Sequence, residues 1–144
     1  MTIASDIDRP AGARGFWLGV AAYLIATFPI AFVWHLVLFE QKYRALRIYH
    51  DDPIIPLGLA SMIVQAVIFS WIFPRLFADR SGSVLRDGLL YGLGAGLLSW
   101  SFTTLGVAAK HPMTSISDYL VLETAFTILQ FAVVGPLIAL AWRR

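Results

Sequence analysis

Two ionisable residues, His35 and Glu123, stand at the ends of long apolar stretches of the sequence, where charge is otherwise rare. His35 lies four residues before the end of the first stretch, and Glu123 directly precedes the last. An imidazole titrates near neutral pH and burial favours the protonated form of a carboxyl group, so a His–Glu pair can hold or relay a proton. We therefore predict a proton or ligand site that combines these two residues with Ser61 and Thr103.

Two other interpretations of the same pair stay open. Together with His50, His35 and Glu123 could bind a divalent metal ion, since imidazole and carboxylate groups are suitable ligands. Alternatively, residues one turn inside a helix end reach interfacial water, where they need no special role. The sequence contains no His-Glu-x-x-His motif, phosphate-binding loop or Gly-x-Ser-x-Gly motif, so it favours no catalytic residue and argues against an enzyme.

Two glutamines and a row of glycines are candidates for contacts between helices. Gln65 and Gln130 each lie eleven residues after the start of a predicted helix, which predicts a hydrogen bond between the second and fourth helices. Gly88, Gly92 and Gly96 recur every four residues, a spacing that permits another helix to approach closely. This glycine face serves packing within one bundle or, alternatively, a homodimer through the third helix.

The elements that must position these residues are four apolar stretches without Lys, Arg, Asp or Glu, namely Phe16–Phe39, Ile54–Pro74, Gly88–Ala109 and Thr124–Trp142. Each is close to the roughly 20 residues that a helix needs to cross a bilayer. Only 14% of the 144 residues are charged, against about 25% in soluble domains. We therefore predict an all-α membrane protein, an antiparallel bundle of four transmembrane helices at about residues 16–39, 54–76, 88–109 and 119–142.

The segments outside these helices carry weaker signals. Residues 1–15 are expected to form a disordered tail, and residues 16–144 a single transmembrane domain. The connection Glu40–Asp52 has aromatic and apolar residues at helical spacing. This fits a first helix that continues past the membrane surface, or a helix along that surface, but we favour a structured loop whose side chains reach the interface. Ser115 and Asp118 have the spacing of a capping box before the last helix.

The distribution of basic residues predicts an orientation. Seven of the eleven Lys and Arg residues fall on the side of the two termini, and four on the other side: Arg9, Arg14, Arg75, Arg80, Arg86, Arg143 and Arg144 against Lys42, Arg44, Arg47 and Lys110. Cytoplasmic segments carry the excess of positive charge in membrane proteins. We therefore expect both termini in the cytoplasm and the protein in the inner (plasma) membrane.

Composition also limits cofactors and partners. The chain has no cysteine, which excludes disulfides, thiolate metal sites and covalent c-type haem attachment. Its basic residues lie in loops and tails, as membrane topology requires, so they do not indicate nucleic-acid binding. We expect no cofactor, and we expect the lipid bilayer as the main partner.

A family resemblance rests on aromatic and glycine positions over most of the chain. Trp34 and His35 are followed by Phe39 and Tyr43, the third predicted helix is rich in glycine, and the run Ile116–Tyr119 precedes the last helix. In these features the chain resembles small four-helix bacterial inner-membrane proteins of unknown function. The resemblance implies a membrane bundle but no activity. Small multidrug exporters differ, because their glutamate lies deep in the first helix, where this chain has none.

Three functions are compatible with these observations. The first is a binding or transport-accessory protein with a small polar pocket that opens outward. The second is a small proton-coupled transporter that uses Glu123 and His35. The third is a metal-dependent membrane enzyme at the outer face.

Overall fold

The structure, a computed structural model, describes residues 10–48, 53–77 and 82–143. Its helices are α1 (Pro10–Val33), α2 (Glu40–Leu46), α3 (Ile55–Leu76), α4 (Val84–Trp100), α5 (Gly106–Ala108) and α6 (Ile116–Ala141). Two π-helical segments, Trp34–Leu38 and Ser101–Leu105, continue α1 and α4. The predicted all-α class is therefore confirmed.

Three helical segments are long and apolar enough to cross a membrane, namely Gly12–Leu38, Ile55–Leu76 and Ile116–Ala141. The predicted third crossing, residues 88–109, is not one of these three segments. Its helix α4 has only 17 residues, because the π-helical segment Ser101–Leu105 then interrupts the regular hydrogen bonding. Residues 10–15, expected in the tail, form the first turns of α1. Proline is well tolerated there, since the first N–H groups of a helix have no intrahelical partner. The rest of the expected tail lies outside the described residues.

The last helix, α6, lies at the centre of the bundle. Both α1 and α4 pack along it, and α3 packs mainly on α1. Accordingly, 39% of the apolar 18-residue segment of α6 is buried inside the protein, but only 11% of the corresponding segment of α3. The side chains that α6 buries include Glu123, Thr127, Gln130 and Ile138, so a polar stripe of this helix lies inside the protein.

Glycines set the distance between α4 and α6. A Cβ atom at Gly88 or Gly92 would lie closer than 3.0 Å to the backbone of α6, and one at Gly135 would meet the backbone of α4 equally closely. A Cβ at Gly96 would contact the Phe131 ring at 3.2 Å. Within one chain, α6 therefore covers the glycine face. A homodimer through this segment stays a prediction, and it would need another face of α4, where Leu93 is 69% exposed.

One end of the bundle, which we call the α2 end, is covered by a short helix rather than by the structured loop that we favoured. In α2, Tyr43 and Leu46 are buried in a cluster with Tyr119. Thr114 holds the last turn of α2, since its N–H donates to the Leu46 carbonyl at 3.2 Å and its hydroxyl to the Ala45 carbonyl at 2.8 Å. The residues after Ile48 in this connection, including His50, lie outside the described part of the chain.

Candidate functional site

At the α2 end, the structure brings His35 and Glu123 together. The Nε2 atom of His35 lies 3.3 Å from Oε1 of Glu123, although 88 residues separate them in the sequence. Their side chains are only 17% and 10% exposed. The His35 ring also packs against the Phe126 ring in a T-shaped arrangement, with centroids 4.4 Å apart. The pair therefore lies in a mostly apolar environment, where charge is costly unless it is paired.

The contacts of His35 indicate where the hydrogens of its ring lie. Its Nδ1 atom lies 2.9 Å from the carbonyl oxygen of Ala31. A carbonyl only accepts, so Nδ1 carries a hydrogen, and a neutral ring then has no hydrogen on Nε2. The contact between Nε2 and Glu123 therefore requires one further proton, carried either by His35 or by the carboxyl group. In both cases the pair shares that proton and has no net charge.

A third residue, Tyr43 of α2, completes the site. Its hydroxyl donates to Oε1 of Glu123 at 2.6 Å and accepts a bond from Nε1 of Trp34 at 3.2 Å. Its ring also packs on the His35 ring, with centroids 4.8 Å apart. Because the indole N–H can only donate, the hydroxyl hydrogen of Tyr43 is available for the carboxylate. The short helix α2 is thus bonded directly to the His35–Glu123 pair.

The local backbone explains how α1 places His35. The π-helical segment Trp34–Leu38 contains a widened turn, in which the N–H of Phe39 donates to the Trp34 carbonyl at 3.0 Å. This turn ends α1 and allows the chain to enter α2. Such π-helical turns occur frequently at functional sites. On α6, the N-cap half of the capping box predicted at Ser115 is present, since the Ser115 side chain accepts from the N–H of Asp118 at 3.3 Å.

A second polar network lies deeper in the bundle. The hydroxyl of Tyr23 donates to Oε1 of Gln65 at 2.6 Å and accepts from Nε2 of Gln130 at 3.3 Å. The two glutamines therefore meet through a tyrosine of α1, and the predicted direct bond between them is not what the structure contains. Gln65 also donates from Nε2 to the hydroxyl of Ser61 at 2.9 Å. The polar contact that we predicted between two helices therefore joins three, namely α1, α3 and α6.

The remaining predicted site residues lie in different places. Ser61 lines a cavity together with His35, as described below. Thr103 is exposed, and its hydroxyl donates to the Ser99 carbonyl at 2.9 Å, so its side chain takes no part in the pair. His50, proposed as a metal ligand, lies outside the described residues. Within the described ranges, no three His, Cys, Asp or Glu side chains are grouped so that they could hold a metal ion.

A cavity of about 460 Å³ lies between α1 and α3 at the α2 end. Its lining is mostly apolar, and His35 and Ser61 are the two polar side chains that the described part of the chain contributes to it. A second groove, of about 390 Å³, runs between α4 and α6 and is lined almost entirely by apolar side chains. Of these two cavities in the described part of the protein, the first has an apolar lining and also contains His35 of the pair.

Sequence reasoning missed Tyr43 and Tyr23, each of which connects polar residues of other elements. The helical spacing of Tyr43 with Phe39 and Leu46 was the available signal for the first. Nothing comparable marked Tyr23, which is a single aromatic residue in an apolar stretch. Comparisons of this chain with protein-family models, with curated proteins and with solved structures found no match.

Proposed function

We propose that this chain is a multi-pass inner-membrane protein that binds a small ligand at the α2 end, next to a single proton held between His35 and Glu123. One observation carries the proposal: Nε2 of His35 lies 3.3 Å from Glu123 while Nδ1 is committed to the Ala31 carbonyl. Ionisable side chains inside a membrane protein are rare and commonly mark a functional site. His35 also lines the adjacent cavity, which gives a ligand access to the pair.

Four crossings with both termini in the cytoplasm are part of this proposal. The segment from α4 through α5 is helical over residues 84–108. At about 1.5 Å per residue, such a segment is long enough for a hydrocarbon core of about 30 Å. Because the chain has no cysteine, single cysteines at Gln41 and Gly82 can test the topology. A membrane-impermeant maleimide should label the first in intact cells and the second only after lysis, and the reverse pattern would refute the orientation.

The binding function can be tested without knowing the natural ligand. Purified protein in lipid nanodiscs is heated with amphiphiles that share one chain but carry neutral, anionic or cationic head groups. A ligand that binds only the folded state raises Tm, by an amount that follows its concentration relative to Kd. We expect at least one class to raise Tm of the wild type, and we expect Glu123→Gln to remove this increase, because the amide cannot exchange a proton with His35.

Glu40→Gln is the matched control, since Glu40 is a partly exposed carboxylate that pairs only with Arg44 among the described residues. Its response to each amphiphile should equal that of the wild type. The proposal fails if no class raises Tm, or if the two glutamine variants respond alike.

A proton-coupled transporter is the second candidate, and one observation favours it. Below Glu123, the buried residues Thr127 and Gln130 extend the polar stripe of α6 along the interior of the bundle. Polar side chains inside a membrane commonly mark proton or substrate pathways. For a transporter, Glu123→Gln should abolish pH-driven substrate uptake into reconstituted vesicles, whereas Glu40→Gln should not. Uptake by both variants at the wild-type rate would exclude this candidate.

A further inference from the structure

The cavity between α1 and α3 has the properties of a site for a lipid-soluble molecule. Its volume of about 460 Å³ falls within the roughly 300–1,000 Å³ of typical small-molecule pockets, which are mostly apolar with a few polar groups. The apolar lining includes Phe28, Phe32 and Leu57. Leu57 is also 66% exposed on the outer surface of α3, so the cavity lies beside a surface that faces lipid in a membrane.

The deeper polar network ends at this cavity, and its hydrogen bonds all run in one direction. Gln130 donates to Tyr23, Tyr23 donates to Gln65, and Gln65 donates to the hydroxyl oxygen of Ser61. The hydroxyl hydrogen of Ser61 has no acceptor among the described residues, although Ser61 lines the cavity. Bonds aligned in this way polarise one another, which makes the last hydroxyl a better donor. The cavity therefore presents a donor, and it suits a ligand that accepts.

The charges around the cavity indicate what kind of acceptor fits. Among the described residues that line it there is no Lys or Arg, and the one that is titratable, His35, is already paired with Glu123. An anionic head group would thus lie among apolar side chains without a free counter-charge, which is costly. A neutral carbonyl oxygen needs only a donor, and Ser61 supplies one.

We propose that this cavity binds a neutral, membrane-soluble molecule with a long apolar body and a carbonyl oxygen, such as a ketone or an ester, which accepts a hydrogen bond from Ser61. The proposal rests on the ligand-binding function above and names the ligand class. The apolar body lies along Phe28, Phe32 and Leu57, and the molecule enters from the bilayer between α1 and α3.

The test uses the full chain in nanodiscs and a radiolabelled long-chain ketone, with an alkane of equal length as the reference probe. Loss of one neutral hydrogen bond, worth about 1 kcal/mol, should weaken Kd about fivefold in Ser61→Ala, and Ser61→Thr should restore it. With a ¹³C-labelled carbonyl, the infrared stretching band of the bound ketone should lie at lower frequency in the wild type than in Ser61→Ala, which a merely structural role of Ser61 would not produce.

Two glycine variants separate cavity filling from general damage. Gly58 lines the cavity and Gly94 does not, and an added Cβ meets nothing within 4 Å at either position. We expect Gly58→Leu to abolish ketone binding and Gly94→Leu to leave it unchanged. Because both side chains enter open space, both variants should fold, and their far-UV circular dichroism verifies this.

Several results would overturn the proposal: no ketone binding up to its solubility limit, equal binding of the alkane, tighter binding of the corresponding fatty-acid anion, or full binding by Gly58→Leu. The failure of the ligand class can be told from the failure of the function. If an anionic or cationic amphiphile raises Tm in a manner that depends on Glu123, the binding function stands and only the carbonyl assignment falls. If no amphiphile does so, the binding function itself is refuted.

Discussion

The replacement of Gly92 by alanine should separate α4 from α6 and destabilise the bundle, whereas the same change at Gly94 should not. The added Cβ at Gly92 would lie closer than 3.0 Å to the carbonyl oxygen of Phe131, and ordinary contact begins at 3.4 Å. The obstacle is backbone, which cannot rotate away as a side chain can. The two helices must therefore move apart by several tenths of an ångström along their interface.

The magnitude follows from this separation. A gap of roughly 0.5–1 Å forfeits a quarter to a half of each dispersion contact, and inserting a methyl group into a packed core costs about 1–3 kcal/mol. At Gly94, where a Cβ meets nothing within 4 Å, alanine relieves the conformational cost of a helical glycine, about 0.5–1 kcal/mol. Because alanine relieves the same cost at Gly92, which also lies inside α4, the free energies of unfolding of the two variants should differ by the packing cost alone, about 1–3 kcal/mol.

Unfolding by sodium dodecyl sulfate in mixed micelles, followed by tryptophan fluorescence, measures this difference. Trp100 reports directly on the interface, because its Nε1 donates to the Thr124 hydroxyl of α6 at 3.0 Å. We expect the Gly92→Ala curve to move to lower detergent and the Gly94→Ala curve to stay in place or move slightly higher. Curves for the two variants that coincide would show that close approach at Gly92 does not hold α4 to α6.

Three further predictions use the same unfolding assay. Tyr43→Phe removes the hydroxyl that donates to Glu123 and accepts from Trp34, so it should cost about 2–4 kcal/mol; a loss below about 0.5 kcal/mol would contradict the role of this hydroxyl. Tyr23→Phe breaks two interhelical bonds and should cost only about 1 kcal/mol, since such bonds average ~0.6 kcal/mol in membranes; a cost above about 3 kcal/mol would show that the network is strongly cooperative. Arg44→Ala removes an exposed pair with Glu40 and should cost about 0.3–0.5 kcal/mol, an effect that vanishes in high salt if it is electrostatic.

Several features of the fold follow from local sequence. The apolar stretches mark the helices, and the structure begins and ends most of them within a few residues of the predicted positions. The N-cap at Ser115 was predictable because its bond from the Asp118 N–H joins residues three apart. The proximity of His35 and Glu123 was also open to sequence reasoning. Both lie within about two turns of helix ends, and short antiparallel connections bring those ends to the same side.

The α4–α6 packing illustrates what the sequence left open. The repeat of Gly88, Gly92 and Gly96 predicts a close contact with another helix. It does not indicate which helix that is. The partner became clear only because α6 has its own glycine, Gly135, at the matching position, where an added Cβ would meet the backbone of α4. This matching of glycines depends on how α4 and α6 are rotated relative to each other. The spacing of residues within either helix alone does not specify that rotation.

The polar sites divide in the same way. Sequence by itself determined the depth of each polar residue and the face of the helix that carries it, because helical geometry converts residue number into height and angle. Tertiary structure alone decided that Tyr43 joins His35 and Glu123, and that Tyr23 stands between Gln65 and Gln130. The physical reason is that a hydrogen bond requires two atoms within about 3 Å, and distances between side chains of different helices are set by the packing of the whole bundle.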